Sequence, residues 1–131
     1  MLLVKNAEIY APEYLGKKDL LICGGKIECI QDSIRELPVE CEVLDAEGKI
    51  LTPGFLDQHV HITGGGGEGS FHTRTPELQM SELVENGITT VVGLLGTDGI
   101  TRSVDNLYAK TRVLCEEGVS CLLYTSDAAD E

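Results

Sequence analysis

Residues 50–62, ILTPGFLDQHVHI, decide how this chain is to be read. The run is mostly apolar and carries two histidines two positions apart. On a strand, side chains alternate between faces, so His59 and His61 project to one side and Val60 to the other. The segment GGGGEGS follows at residues 64–70, and its glycines leave open space beyond the two imidazoles. Downstream, Thr75, Pro76 and Glu77 read as N-cap, first helical residue and an acid suited to the positive end of a helix dipole. Leu78, Leu83 and Val84 supply a rough apolar face for that helix, and Gly87 stops it. ITTVVGLLG at residues 88–96 reads as a buried β-branched strand. A polar loop, TDGITRSVD, leads into a second helix over residues 106–117, with Leu107, Thr111 and Leu114 on one face and Gly118 as its end. A third strand begins near Val119. Strand, helix, strand, helix in this order implies a parallel α/β architecture. An open doubly wound sheet and a closed barrel both begin this way.

Upstream of residue 50 the pattern differs. LLVKNAEIY, DLLIC, KIECI and CEVLDAEGKIL are short β-type runs. Gly24-Gly25 stands between the second and third, where a two-residue hairpin turn demands positive φ. Residues 1–50 therefore read as a small β-sheet domain, and residues 51–120 as the start of the α/β region.

The 131 residues carry 10 Lys and Arg against 22 Asp and Glu, a formal charge of -12. Such a surface repels phosphate backbones and anionic membranes, so neither nucleic acid nor membrane is an expected partner. No apolar run approaches the roughly 20 residues of a membrane span, and Lys5 and Glu8 interrupt the place of a signal-peptide core. A cytoplasmic location is expected. The five cysteines (Cys23, Cys29, Cys41, Cys115 and Cys121) form no CxxC pair. They suggest small buried thiols rather than a zinc knuckle or a disulfide framework.

Two ring nitrogens on one strand face can hold a single divalent metal. An isolated His-x-His pair can equally lie idle on a solvent-facing strand. Here the pair ends the first strand of an α/β alternation, and active sites in such folds collect at the carboxyl ends of strands. Asp57 lies on the same parity and reads either as a turn carboxylate or as a partner orienting a histidine. GGGGEGS lacks the Gly-Lys-Ser/Thr ending of a phosphate-binding loop. His72 and Arg74 are assigned no ligand role; Arg74 is expected to tie the loop to its own scaffold.

PGFLDQHVH at residues 53–61 resembles the first-strand metal motif of the amidohydrolase superfamily, many members of which begin with a small β-domain. Within that superfamily GGGGE (64–68), TRTPE (73–77) and VVGLLGTD (91–98) resemble the isoaspartyl dipeptidase family, and the likeness covers most of residues 1–120. The resemblance implies an α/β fold in which the small β-domain is followed by the first two β/α units of a TIM-like (β/α)8 barrel, cut short. It implies two zinc ions, with His59 and His61 as ligands of one. The bridging carbamylated lysine, two further histidines and the catalytic aspartate of the family fall on later strands. No catalytic residue is therefore assigned here, and the chain alone is expected to be inactive. Gly66, Gly67 and Glu68 match the loop that meets substrate, and Thr97 matches a residue after the second strand. A free α-ammonium needs an anion such as Glu68, and flanking glycines let backbone approach closely. The implied reaction is attack of a metal-activated water on the isopeptide bond of a small β-aspartyl dipeptide, in a protein that forms homo-oligomers. A dihydroorotase-like or hydantoinase-like cyclic amidase would also keep His59 and His61, without needing Glu68. A non-catalytic interaction protein of the same fold has no use for the histidine pair.

The final residues, 121–131 (CLLYTSDAADE), match one reading frame of a transposase adapter used in sequencing libraries codon by codon. They are read as a non-native tail and set aside from the fold.

Overall fold

The computed structural model describes residues 1–35 and 37–125, and the chain divides into two units, Met1–Pro53 and Gly54–Glu131.

The first unit is a five-stranded sheet built on β1 (Leu2–Tyr10), β2 (Tyr14–Cys23), β3 (Lys26–Gln31), β4 (Glu42–Asp45) and β5 (Ile50–Leu51). The order is β3-β2-β1-β4, with β5 pairing further along β1. β1, β2 and β3 run antiparallel in turn, while β4 and β5 lie parallel to β1. Gly24 and Gly25 both take positive φ (57° and 76°) in the β2–β3 turn, as the Gly-Gly step predicts. β1 carries a bulge: Asn6 has φ 58° and the register with β2 slips between Val4 and Ala7. One extra residue reverses the facing of those that follow, so inward positions pass from Val4 to Ala7 and Ile9. These three and Leu20 form the apolar cluster of the unit.

The second unit is a parallel sheet of β6 (Phe55–Val60), β7 (Ile88–Gly93) and β8 (Ser120–Leu123), in that order, connected by α1 (Met80–Glu85) and α2 (Val104–Glu116). It is the strand–helix alternation expected from the sequence. Its core is Ile62, Leu83, Val91, Leu107, Leu114 and Val119. Leu107, Thr111 and Leu114 are the buried residues of α2, and Ser103 caps that helix by accepting from the Asn106 amide at 3.2 Å.

Three expectations need correction. α1 starts at Met80 rather than Pro76, with a capping box between Gln79 and Glu82. The reason is that Thr75 is engaged elsewhere: its hydroxyl accepts from the Gly65 amide at 2.7 Å. Val84 does not join the core and is 58% exposed. The cysteines are free as expected, but none is buried, and Cys23 and Cys115 are exposed. Of the residues read as a tail, Cys121–Leu123 pair with β7 in β8, and Ser126–Glu131 lie outside the described residues. No helix among the described residues is long and apolar enough to cross a membrane.

Candidate metal and substrate site

β6 delivers the histidine pair to the end of the strand. His59 is its penultimate residue and His61 lies one past its end. The register with β7 slips between Asp57 and Val60, and the Ile62 amide bonds back to Val60 O at 2.9 Å, a tight bend that follows the strand. Ile62 is fully buried beyond the bend and anchors it in the core. The two imidazole centroids are 5.2 Å apart with planes at 54°. A Cβ at Gly96 would fall 3.0 Å from His61 Nδ1, and one at Gly65 3.2 Å away, so small residues at both positions let two backbones close on this ring. Asp57 Oδ1 accepts from the backbone amide of His59 at 3.1 Å, as a turn carboxylate does.

Two imidazoles this close suit one divalent ion, yet a tetrahedral zinc site needs further donors. Among the described residues no group of three or more His, Cys, Asp or Glu is gathered in metal-binding geometry. The histidine pair offers two of the donors that such a site would use.

The glycine segment is a fixed loop rather than a linker. Gly64 N bonds His61 O at 2.8 Å, Thr75 N bonds Gly65 O at 3.0 Å, and Gly67 N donates to Thr73 Oγ1 at 3.2 Å. Gly64 (φ 90°) and Gly66 (φ 67°) are required twice over, by conformation and by space. A Cβ would lie 2.3 Å from Thr75 O at the first and 2.4 Å from Thr73 O at the second.

The loop holds Glu68 against the end of the second strand, where Glu68 Oε1 accepts from Thr97 Oγ1 at 2.5 Å. That bond, then the bond from its own amide, lowers the carboxyl pKa against a desolvation penalty, and the charges of His61 and Arg102 add to the lowering. Glu68 is thus an anion at neutral pH. A cleft of about 390 Å3 opens beside it, with Phe71 and Ile100 as apolar walls and Ser70, Thr97 and Asp98 as polar ones. The structure therefore brings together Gly66, Gly67, Glu68 and Thr97 as one group and His59 with His61 as another. His61 adjoins both through Gly65 and Gly96. His72 is exposed on a single 3-10 turn, Phe71–Thr73, and Arg74 Nε pairs with Asp98 Oδ2 at 3.1 Å.

Sequence reasoning missed Arg102. It is 4% exposed and donates to the carbonyls of Thr63, Gly65 and Gly66 at 3.0 Å and of Thr75 at 3.1 Å. The only hint in TDGITRSVD was a lone arginine in a loop, where solvent exposure is the ordinary expectation.

No family model matches the chain. A solved β-aspartyl dipeptidase from Fervidobacterium islandicum AW-1 shares 50% identity over 94% of this chain and 34% of its own, with a TM-score of 0.85. The same enzyme in complex with β-Asp-Leu dipeptide gives 50% identity over 94% of this chain and 32% of its own, with a TM-score of 0.82. Among curated proteins, a dihydroorotase of Listeria monocytogenes is 33% identical over 99% of this chain and 32% of its own length. The chain spans about a quarter to a third of the length of the relatives it matches. With half its residues shared with a β-aspartyl dipeptidase on the same fold, and with a histidine pair at the end of its first parallel strand, the chain belongs to the amidohydrolase superfamily.

Proposed function

We propose that this chain supplies the small β-sheet unit and the first two β/α units of a longer zinc-dependent hydrolase that cleaves the isopeptide bond of β-aspartyl dipeptides. The observation that carries this reading is Glu68: an ionised carboxylate, fixed by Thr97 at 2.5 Å, on a glycine loop that begins three residues after His61. A β-aspartyl dipeptide presents a free α-ammonium, the group such an anion recognises. Further support comes from the 50% identity to an enzyme solved with β-Asp-Leu.

In this reading His59 and His61 would hold one of two zinc ions. When bound, such metals bring a water toward neutral pKa and polarise the scissile carbonyl. The chain's own residues bind and orient. Glu68 takes the ammonium, Thr97 fixes the carboxylate that does so, and Gly66 and Gly67 let the backbone come close to the dipeptide. The bridging lysine, the remaining histidines and the proton-transferring aspartate belong to later strands outside these residues, so the chain alone is inactive. Assembly into a homo-oligomer and a cytoplasmic location belong to the same proposal.

The second reading is a cyclic amidase, which the dihydroorotase relatives favour. A dihydroorotate or hydantoin ring has no α-ammonium and leaves Glu68 without a partner. The longer protein, purified with zinc, is expected to hydrolyse β-Asp-Leu and to leave both cyclic amides intact. Turnover of dihydroorotate or hydantoin in preference to the dipeptide overturns the reading.

A further inference from the structure

We infer that Arg102 is a positioning residue for substrate recognition, setting both partners of the Glu68–Thr97 pair from one buried guanidinium; this rests on the dipeptidase reading above. Arg102 immediately precedes Ser103, the N-cap of α2, so its backbone is held by the scaffold. Its side chain reaches both limbs of the glycine loop. Nε donates to Thr63 O, Nη1 to Gly66 O, and Nη2 to Gly65 O and Thr75 O. On its remaining side Nη1 lies 3.7 Å from Asp98 Oδ2.

These contacts engage the guanidinium on every edge, so Arg102 has no fork left to clamp a substrate carboxylate. Its influence on substrate must pass through what it holds. On one side that is Gly66, with a single residue between it and Glu68. On the other it is Asp98, the residue after Thr97. Asp98 is itself fixed, accepting from the amides of Ile100 and Thr101 at 3.2 and 2.9 Å and pairing with Arg74 at 3.1 Å. The loops that carry Glu68 and Thr97 thus meet on one cation. A four-carbonyl array matches a planar fork and not the compact ammonium of lysine, so Arg102→Lys is not conservative here. A glycine loop with three positive φ angles, at Gly64, Gly66 and Gly67, and with its one large apolar residue, Phe71, exposed, rests on hydrogen bonds for its position, and Arg102 adds four to those of the Thr73 and Thr75 hydroxyls.

The test uses the longer protein with its zinc, and two substrates: β-Asp-Leu and succinyl-leucine, the same amide with hydrogen in place of the α-ammonium. The parent is expected to prefer β-Asp-Leu by about ten- to a hundredfold in kcat/KM, the size of one charge-assisted hydrogen bond. Arg102→Lys is expected to cut that preference about tenfold through KM, with zinc stoichiometry unchanged, and to add almost nothing in a Glu68→Gln background, since the two act on one interaction. Asp98→Asn should show the same pattern more weakly. Arg102→Lys that slows both substrates equally, loses zinc, or adds its full effect to Glu68→Gln overturns the proposal in favour of a purely structural arginine. If Arg102→Lys does not fold, Asp98→Asn decides: an unchanged preference overturns the proposal, a reduced one supports it. A parent that hydrolyses β-Asp-Leu and succinyl-leucine equally overturns the assignment of Glu68 itself, and this inference with it.

Discussion

Asp19 in the sheet unit and Arg102 in the α/β unit are each 4% exposed, and each is satisfied largely by backbone. Asp19 gathers amides, accepting from Asn6 N and Ile34 N at 2.9 Å, with Lys5 Nζ at 3.9 Å. Arg102 gathers carbonyls, four of them from a loop with no apolar anchor of its own between Thr63 and Thr75. The device is the same and its use differs. Asp19 locks a bulge and a chain crossing within a sheet, whereas Arg102 fixes the loop on which the candidate substrate anion stands. A buried charge satisfied by backbone therefore does not by itself mark a functional site; what it holds decides that.

The largest effect is expected at Arg102. Arg102→Met keeps volume but leaves four carbonyls without their donor and Asp98 with Arg74 as its remaining cation, and it should destabilise the longer protein by about 3–5 kcal/mol. Chemical denaturation measures this, and a loss under 1 kcal/mol would show that water replaces the guanidinium at little cost.

Asp19→Ala should cost less, about 2–4 kcal/mol, because two amides rather than four carbonyls lose their partner. It should leave kcat/KM unchanged under conditions where the protein stays folded. The pair also predicts a pH effect. Burial pushes the Asp19 pKa up, but the Ile34 and Asn6 amides and the Lys5 charge outweigh it, and the folded value lies below the ordinary one. The stability it adds is complete above the unfolded value of about 3.9 and is lost as pH falls through the lower folded value. Acid unfolding of Asp19→Asn should accordingly be flatter than that of the parent in the region below pH ~4. Parallel curves would contradict the assignment.

Thr97→Val is the mildest change. It removes the hydroxyl that orients Glu68 and leaves the Arg102 array intact. Stability should shift within about 0.5 kcal/mol, while KM for β-Asp-Leu rises about three- to tenfold. A loss of folding stability without a change in KM would place Thr97 on the structural side of the comparison.

Much of this architecture was readable from residues whose signals are local. The Gly24-Gly25 turn, the Leu107, Thr111 and Leu114 face of α2, and the strand that carries His59 and ends just before His61 each follow from the period or conformation of neighbouring side chains. The features that escaped depend on partners distant in sequence. The first helix begins at Met80 because the Thr75 hydroxyl is drawn to Gly65, ten residues back, and is lost as a cap. Arg102 bonds to backbone carbonyls 27 to 39 residues away, and carbonyls leave no mark in a sequence. The family resemblance pointed to Glu68 and Thr97 separately, and the structure added that they touch. The bulge at Asn6 had a trace, since apolar positions shift parity between Val4 and Ala7, and a two-residue period applied without a break hides it.

The most direct measurement is made on Glu68→Gln in the longer protein, with zinc stoichiometry and kcat/KM on β-Asp-Leu determined for the same preparation. Zinc at the parent's level and a loss of about ten- to a hundredfold in kcat/KM are expected. Loss of zinc in Glu68→Gln, or hydrolysis of β-Asp-Leu at the parent's rate, would contradict ammonium binding by Glu68.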